Sequence, residues 1–141
     1  MDLTGKKALS LLHDDFEDLE FWYPSYRLQE AGMTVDVAAV EAERTYVGKY
    51  GVPAEANMTF GDLDPSAYAV LLVPGGWAPD KLRRYSEVLD IVRTMDEAGA
   101  VIGEICHAGW VLISAGVLNG RTVTSTPGIR DDMRNAGAIW V

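Results

Sequence analysis

The only cysteine, Cys106, stands in the stretch Ala100-Val-Ile-Gly-Glu-Ile-Cys106-His107-Ala-Gly-Trp-Val-Leu-Ile-Ser-Ala-Gly116, followed at once by one of the chain's two histidines. A thiol next to an imidazole has the parts of an activated nucleophile and its base. The apolar run Ala100 to Ile105 predicts a buried strand, and the residues from His107 predict a helix ending near Gly116. A strand that turns sharply into a helix lifts one side chain into a strained, exposed position, the nucleophile elbow. The first amides of such a helix favour thiolate over thiol. A lone cysteine is more often a small buried hydrophobe. Its place at a strand end, before a histidine and a glycine-containing turn, argues for chemistry.

The other histidine is His13, so the choice of base is narrow. A third group must orient the imidazole, and no histidine downstream of the helix offers another base. Two carboxyls, Glu17 and Glu20, follow the first strand. A carboxyl beside a thiolate brings two negative charges together, so one of the pair holds a proton, and a neutral Glu20 could donate to the sulfur. The competing reading of Asp14, Asp15, Glu17, Asp18 and Glu20 is an acidic helix start favoured by the dipole. Pro74-Gly75-Gly76 offers open backbone N–H groups, which with the His107 amide could form an oxyanion hole. Trp77, Trp110 and Tyr23 are candidates to line the pocket.

The elements that must position these groups alternate. Lys7 to Leu12 predicts a first buried strand, and Leu19 to Ala31 a helix with Pro24 in its first turn and Gly32 as its stop. Thr34 to Ala39 predicts a second strand, residues 41 to 60 a small hairpin or edge excursion, and Ala69 to Val73 a buried strand stopped by Pro74. Tyr85 or Ser86 to Glu97 is amphipathic through Val88, Leu89, Val92 and Met95. After the Cys106 helix come a weak strand at Arg121 to Thr124, a short helix at Ile129 to Asn135, and a last strand at Ala138 to Val141. Alternating strands and helices give an α/β domain with a mostly parallel sheet covered on both faces. Ligands bind such sheets beyond the carboxyl ends of the strands. That rule gathers the acidic turn, the glycine turn and the thiol at one rim.

The 141 residues read as a single domain, 1–141, without repeat or linker. With 12 basic against 21 acidic side chains, the net charge of −9 argues against nucleic acid or an anionic membrane as partner. One cysteine forms no internal disulfide, no signal peptide is legible, and no apolar run has the length of a membrane span, so the expectation is cytoplasmic. One Cys and two His give no metal-ligand spacing, and no nucleotide-binding glycine loop is present, so no metal and no cofactor are expected.

Phe16-Glu-Asp-Leu-Glu20 with Tyr23-Pro24, Val73-Pro-Gly-Gly-Trp-Ala-Pro-Asp80, Ile105-Cys-His107, Leu112 to Arg121, and Thr126-Pro-Gly-Ile-Arg-Asp-Asp132 together resemble the PfpI family of intracellular cysteine peptidases. That family belongs to a superfamily with the Parkinsonism-associated protein deglycase and class I glutamine amidotransferase-like domains. The resemblance runs over essentially the whole chain. It implies a flavodoxin-like three-layer α/β/α sandwich, with the family's closing strand and helix missing after Val141. It also implies a catalytic Cys106, His107 as its partner, and Glu20 as the carboxyl hydrogen-bonded to the thiol. Asp80 occupies the position of an acidic triad member that the family takes from a neighbouring subunit, usually as Glu. The site would then be complete only in a homo-oligomer, a dimer or a hexamer built from dimers. Glu104 and the run Ala108-Gly109-Trp110 depart from the smaller or Pro-containing residues usual around the cysteine.

Two functions follow as expectations. The first is a thiol hydrolase, with Cys106, His107, Glu20 and Asp80 as catalytic residues and Gly75, Gly76, Glu17 and Trp77 around the substrate and oxyanion. Its substrate would be a peptide, or a small carbonyl in glyoxalase or deglycase chemistry, in a stress-response setting. The second is a non-enzymatic redox sensor or holdase built on an oxidisable, low-pKa cysteine.

Overall fold

The structure, a computed structural model, describes residues 3–141. Strand β1 (Lys7–Leu11) is central: Ala8, Leu9 and Leu11 are fully buried, as is Ser10 between them. Burial on alternate positions of both faces is what a strand covered by helices on each side requires. The chain continues through α1 (Asp18–Glu30), β2 (Thr34–Ala39), the antiparallel hairpin β3 (Thr45–Val47) and β4 (Pro53–Glu55), and the short β5 (Met58–Thr59). Then come β6 (Val70–Val73), α2 (Ala78–Leu82), α3 (Ser86–Glu97), β7 (Val101–Glu104) and α4 (Gly109–Ala115). The last elements are β8 (Thr122–Val123), α5 (Arg130–Asn135) and β9 (Ile139–Trp140).

Five strands form the main sheet in the order β5-β2-β1-β6-β7, every pair parallel. The fold is the flavodoxin-like α/β architecture expected from the sequence. Two crossovers leave the centre in opposite directions, β1–α1–β2 and β6–α3–β7. Right-handed connections then place α1 and α3 on opposite faces. Accordingly, α1 packs on β1, β2 and β6, while α3 packs on β7 and α4. The order reverses between β1 and β6, and a crevice opens outside the carboxyl ends of strands at such a point. His13 to Glu17 leaves β1 there, Pro74 to Trp77 leaves β6, and Cys106 follows the neighbouring β7.

Four expectations change. The strand before the cysteine is not buried: β7 has a partner on one side only, Val101 is 66% exposed, and Ile105 just beyond it is 49% exposed. Helix α1 starts earlier than expected because Glu17 caps it, accepting from the Glu20 N–H at 2.9 Å; Pro24 therefore lies inside the helix. Residues 78–82, to which the sequence assigned no element, form α2 with a proline in its first positions, where a missing N–H costs nothing. The last strand does not extend the main sheet: β8 and β9 pair in parallel with each other, Thr122 opposite Ile139 and Val123 opposite Trp140. In α3 the buried stripe is Val88, Ile91, Val92 and Met95, with Leu89 only half-buried.

Candidate active site

Cys106 has φ 63°, one of three non-glycine residues in the left-handed region among the described residues. A residue with a Cβ pays strain there, and such strain gathers at functional turns. The turn is tied on both sides: Ala108 N–H donates to Ile105 O at 3.0 Å, and Thr126 N–H donates to Cys106 O at 3.1 Å. This is the elbow expected from the sequence. Sγ lies 3.2 Å from His107 Nδ1. The imidazole stands between two indoles, with centroids 5.8 Å from Trp77 and 5.1 Å from Trp110.

The second wall comes from the acidic turn and the glycine turn, laced together by backbone. Phe16 and Gly76 form an isolated antiparallel bridge, Glu17 N–H donates to Gly75 O at 3.2 Å, and Trp77 N–H donates to Asp15 O at 2.9 Å. Gly75 N–H donates to Glu20 Oε2 at 2.9 Å, and the charge of the same carboxyl acts on the Cys106 thiol. Both glycines are required by contact. A Cβ on Gly75 would lie 2.6 Å from Cys106 Cβ, and one on Gly76, whose φ is 75°, would lie 2.6 Å from Glu17 N.

The structure thus brings Cys106, His107, Glu20, Gly75, Gly76 and Trp77 together, and it redistributes three roles. The Gly75 amide is committed to Glu20, which leaves the amides of Gly76 and His107 facing the sulfur. Glu17 is the N-cap of α1 and acts on the site only through Glu20. Asp80, on α2, pairs with Arg84, and no hydrogen bond or ion pair joins it to His107 within the described residues.

A sequence model of the DJ-1/PfpI family matches residues 6–141. The chain belongs to the DJ-1/PfpI family. It is 44% identical over 135 residues to Deglycase PH1704 of Pyrococcus horikoshii, spanning 96% of this chain and 81% of that protein. Over the same length and coverage it is 42% identical to Deglycase PfpI of Pyrococcus furiosus. A crystal structure of a two-domain protein from Anabaena variabilis, containing DJ-1/ThiJ/PfpI-like and ferritin-like domains, matches with a TM-score of 0.94 and 34% identity. The match spans 96% of this chain and 39% of that larger one.

In this DJ-1/PfpI chain the electrostatics of the thiol differ from the low-pKa expectation. Burial, then the Glu20 charge, push the Cys106 thiol up, and the amides of Gly76 and His107 pull it down. Glu20 is raised as well, first by burial and then by the Glu17 charge, against the pull of the Gly75 amide, the thiol and Lys49. Each of the two acids thus resists ionisation beside the other.

Lys49 escaped the sequence reading. Its ammonium sits 5.2 Å from the Tyr50 ring centroid and 5.8 Å from that of Trp77, beside the site. It arrives there because buried Asp18 accepts from the Tyr50 and Val52 amides, both at 2.8 Å, and so clamps the β3–β4 hairpin to α1. Nothing in the spacing of a hairpin lysine points to that clamp. Next to Glu20 an apolar groove of about 400 Å³ opens between α1 and β7, lined by Leu19, Tyr23, Pro24, Val73 and Ile105, and Cys106 does not line it. Among the described residues no group of His, Cys, Asp or Glu is arranged to hold a metal ion, and no helix is long and apolar enough to cross a membrane.

Proposed function

We propose that the protein is a cysteine-dependent hydrolase acting on electrophilic carbonyls. The observation that carries this reading is the strained Cys106 with its sulfur 3.2 Å from His107 Nδ1. His107 Nδ1 takes the thiol proton as sulfur attacks the carbonyl carbon, so an S–C bond forms as the C=O π bond opens. The Gly76 and His107 amides lie where the oxyanion develops. On an acyl carbonyl that carries a leaving atom X, His107 returns its proton to X as the C–X bond breaks. On methylglyoxal, which has no such atom, the hemithioacetal passes its C1 hydrogen as a proton through His107 to C2, which gives a lactoyl thioester. In both cases water, deprotonated by His107, then cleaves the thioester. Glu20 keeps a proton next to the sulfur, so that a thiolate can form without a second full charge beside it.

Two of the most similar relatives are named deglycases, which favours a glyoxal-derived adduct or methylglyoxal over a peptide as substrate. Among the described residues no carboxylate pairs with the His107 ring, and this supports an assembly, a dimer or a hexamer of dimers, in which Asp80 of a neighbour orients it. Mixing Cys106→Ala with Asp80→Asn protomers tests the assembly: recovered turnover is expected, and none overturns the role in trans. No cofactor enters this chemistry, and a cytoplasmic, stress-related role remains part of the proposal.

The Glu20–Cys106 contact also favours a second reading, a redox sensor or holdase. Two equivalents of peroxide convert the thiol to sulfinic acid with release of two waters, and protonated Glu20 would hold a sulfinate oxygen. Intact mass after mild peroxide tests it: addition of two oxygens at Cys106, with no turnover of any carbonyl substrate, would select this reading.

A further inference from the structure

His107 follows Cys106 directly, and the setting of its ring is what brings Nδ1 to 3.2 Å from the sulfur. The last torsion of a histidine is broad, so an unsupported ring swings its Nδ1 out of line with the thiol. Among the described residues no carboxylate holds this ring. What meets it are two indoles from different elements. Trp77, in the turn between β6 and α2, has its ring centroid 5.8 Å away at an interplanar angle of 37°. Trp110, in the first turn of α4, has its centroid 5.1 Å away at 50°. Each indole is itself secured. Trp110 Nε1 donates to Asp132 Oδ2 on α5 at 2.9 Å, and the Arg83 guanidinium stands 5.7 Å from its ring. Arg83 is fixed in turn, its Nε donating to Ser114 Oγ at 2.9 Å. The Trp77 backbone N–H donates to Asp15 O at 2.9 Å, and the Lys49 ammonium stands 5.8 Å from its ring. Trp77 is 53% exposed, so its indole does not stand there to fill the core.

We propose that Trp77 and Trp110 are positioning residues that clamp the His107 imidazole and keep its Nδ1 aimed at the Cys106 sulfur. The inference rests on His107 taking the thiol proton. Aromatic rings with centroids roughly 4.5–7 Å apart attract in tilted arrangements, and both contacts fall in that range. A ring that swings out gives up both contacts, and the proton acceptor leaves the sulfur with it. The two anchors stand on separate walls of the site, the glycine turn and α4, so the ring is tied to the same segments that carry Gly76 and the elbow. A hydrogen bond to Asp80 of a neighbour would fix one ring nitrogen; the indoles fix the plane of the ring inside the protomer.

Two measurements on the full chain test this. In wild type, NMR should show NOEs from the His107 ring protons to the indole protons of both Trp77 and Trp110, with no substitution needed. Alkylation of Cys106 by iodoacetamide at neutral pH reads the proton acceptor without any carbonyl substrate. It should slow about tenfold in the double variant Trp77→Leu, Trp110→Leu, since a misdirected catalytic group commonly costs that much or more. The double variant Trp77→Phe, Trp110→Phe keeps a ring on each wall and should recover most of the rate. Missing NOEs to either indole, a leucine pair alkylated as fast as wild type, or a phenylalanine pair as slow as the leucine pair would overturn the proposal. Cys106→Ala and Asp80→Asn should keep the NOEs whatever their turnover, so this inference fails separately from the hydrolase reading and from the role of Asp80.

Discussion

Glu20 stands beside Cys106 because no side chain stands at Gly75: the carboxyl whose charge helps push the thiol up is held from the other side by the Gly75 amide at 2.9 Å. A carboxyl on α1, an amide after β6 and a thiol after β7 meet only where these segments converge at one rim of the sheet. The coupling of the two acids depends on that convergence.

Gly75→Ala tests the contact. The added Cβ would fall 2.6 Å from Cys106 Cβ and 3.0 Å from Ile105 O, which neither backbone can absorb in place. Overpacking of this kind costs about 1–3 kcal/mol. The expected result is a loss of roughly that size in chemical denaturation, together with at least a tenfold fall in Cys106 alkylation, about 1.4 kcal/mol in the barrier.

Glu20→Gln separates charge from shape. Glutamine can still accept from Gly75, but the charge that helps push the thiol up is gone. The midpoint of thiolate absorbance against pH is expected to move toward acid. A midpoint that stays in place would mean that burial alone sets the thiol.

Glu104 makes the fold itself pH-sensitive, and the sign is set by a carboxyl raised from 4.5 to about 7 in the folded chain. Its favourable contribution is complete below the unfolded pKa and is lost as pH rises through the folded one. Glu104→Gln is therefore expected to be the more stable protein above neutrality, by about 2 kcal/mol after allowance for partial solvent screening, and the advantage should fade toward acid. Thermal melts of both proteins at acidic and alkaline pH measure it.

Asp18→Ala should release the β3–β4 hairpin. Both amides it caps, those of Tyr50 and Val52, would lose their acceptor, and an unsatisfied buried group costs about 1–3 kcal/mol. Denaturant titration should register that loss, and hydrogen exchange should localise it to residues 45–55.

Much of this architecture was legible in the chain. β2 matches its expected bounds, β1 and β6 match within a residue, and the alternation of strands and helices prescribed the rim where Cys106, Glu20 and Gly76 meet. What stayed illegible depends on partners distant in sequence. An apolar run such as Ala100 to Ile105 reads alike in a central and an edge strand, and only the order of pairing makes β7 an edge. Gly75 looks like a free oxyanion donor until Glu20 is seen to occupy its N–H. The thiol looked acidified until its burial and the charge of Glu20, from a distant helix, were seen to push it up. Lys49 reached the site through Asp18, a grip between residues far apart in the chain.

The central claim is that Cys106 performs the chemistry. Consumption of methylglyoxal and hydrolysis of a fluorogenic peptide, measured side by side for wild type and Cys106→Ala at matched oligomeric state, test it most directly. The account predicts turnover of at least one substrate by wild type and its loss, by at least a thousandfold (about 4 kcal/mol), in the variant. Retained turnover in Cys106→Ala, on a chain that melts like wild type, would contradict it.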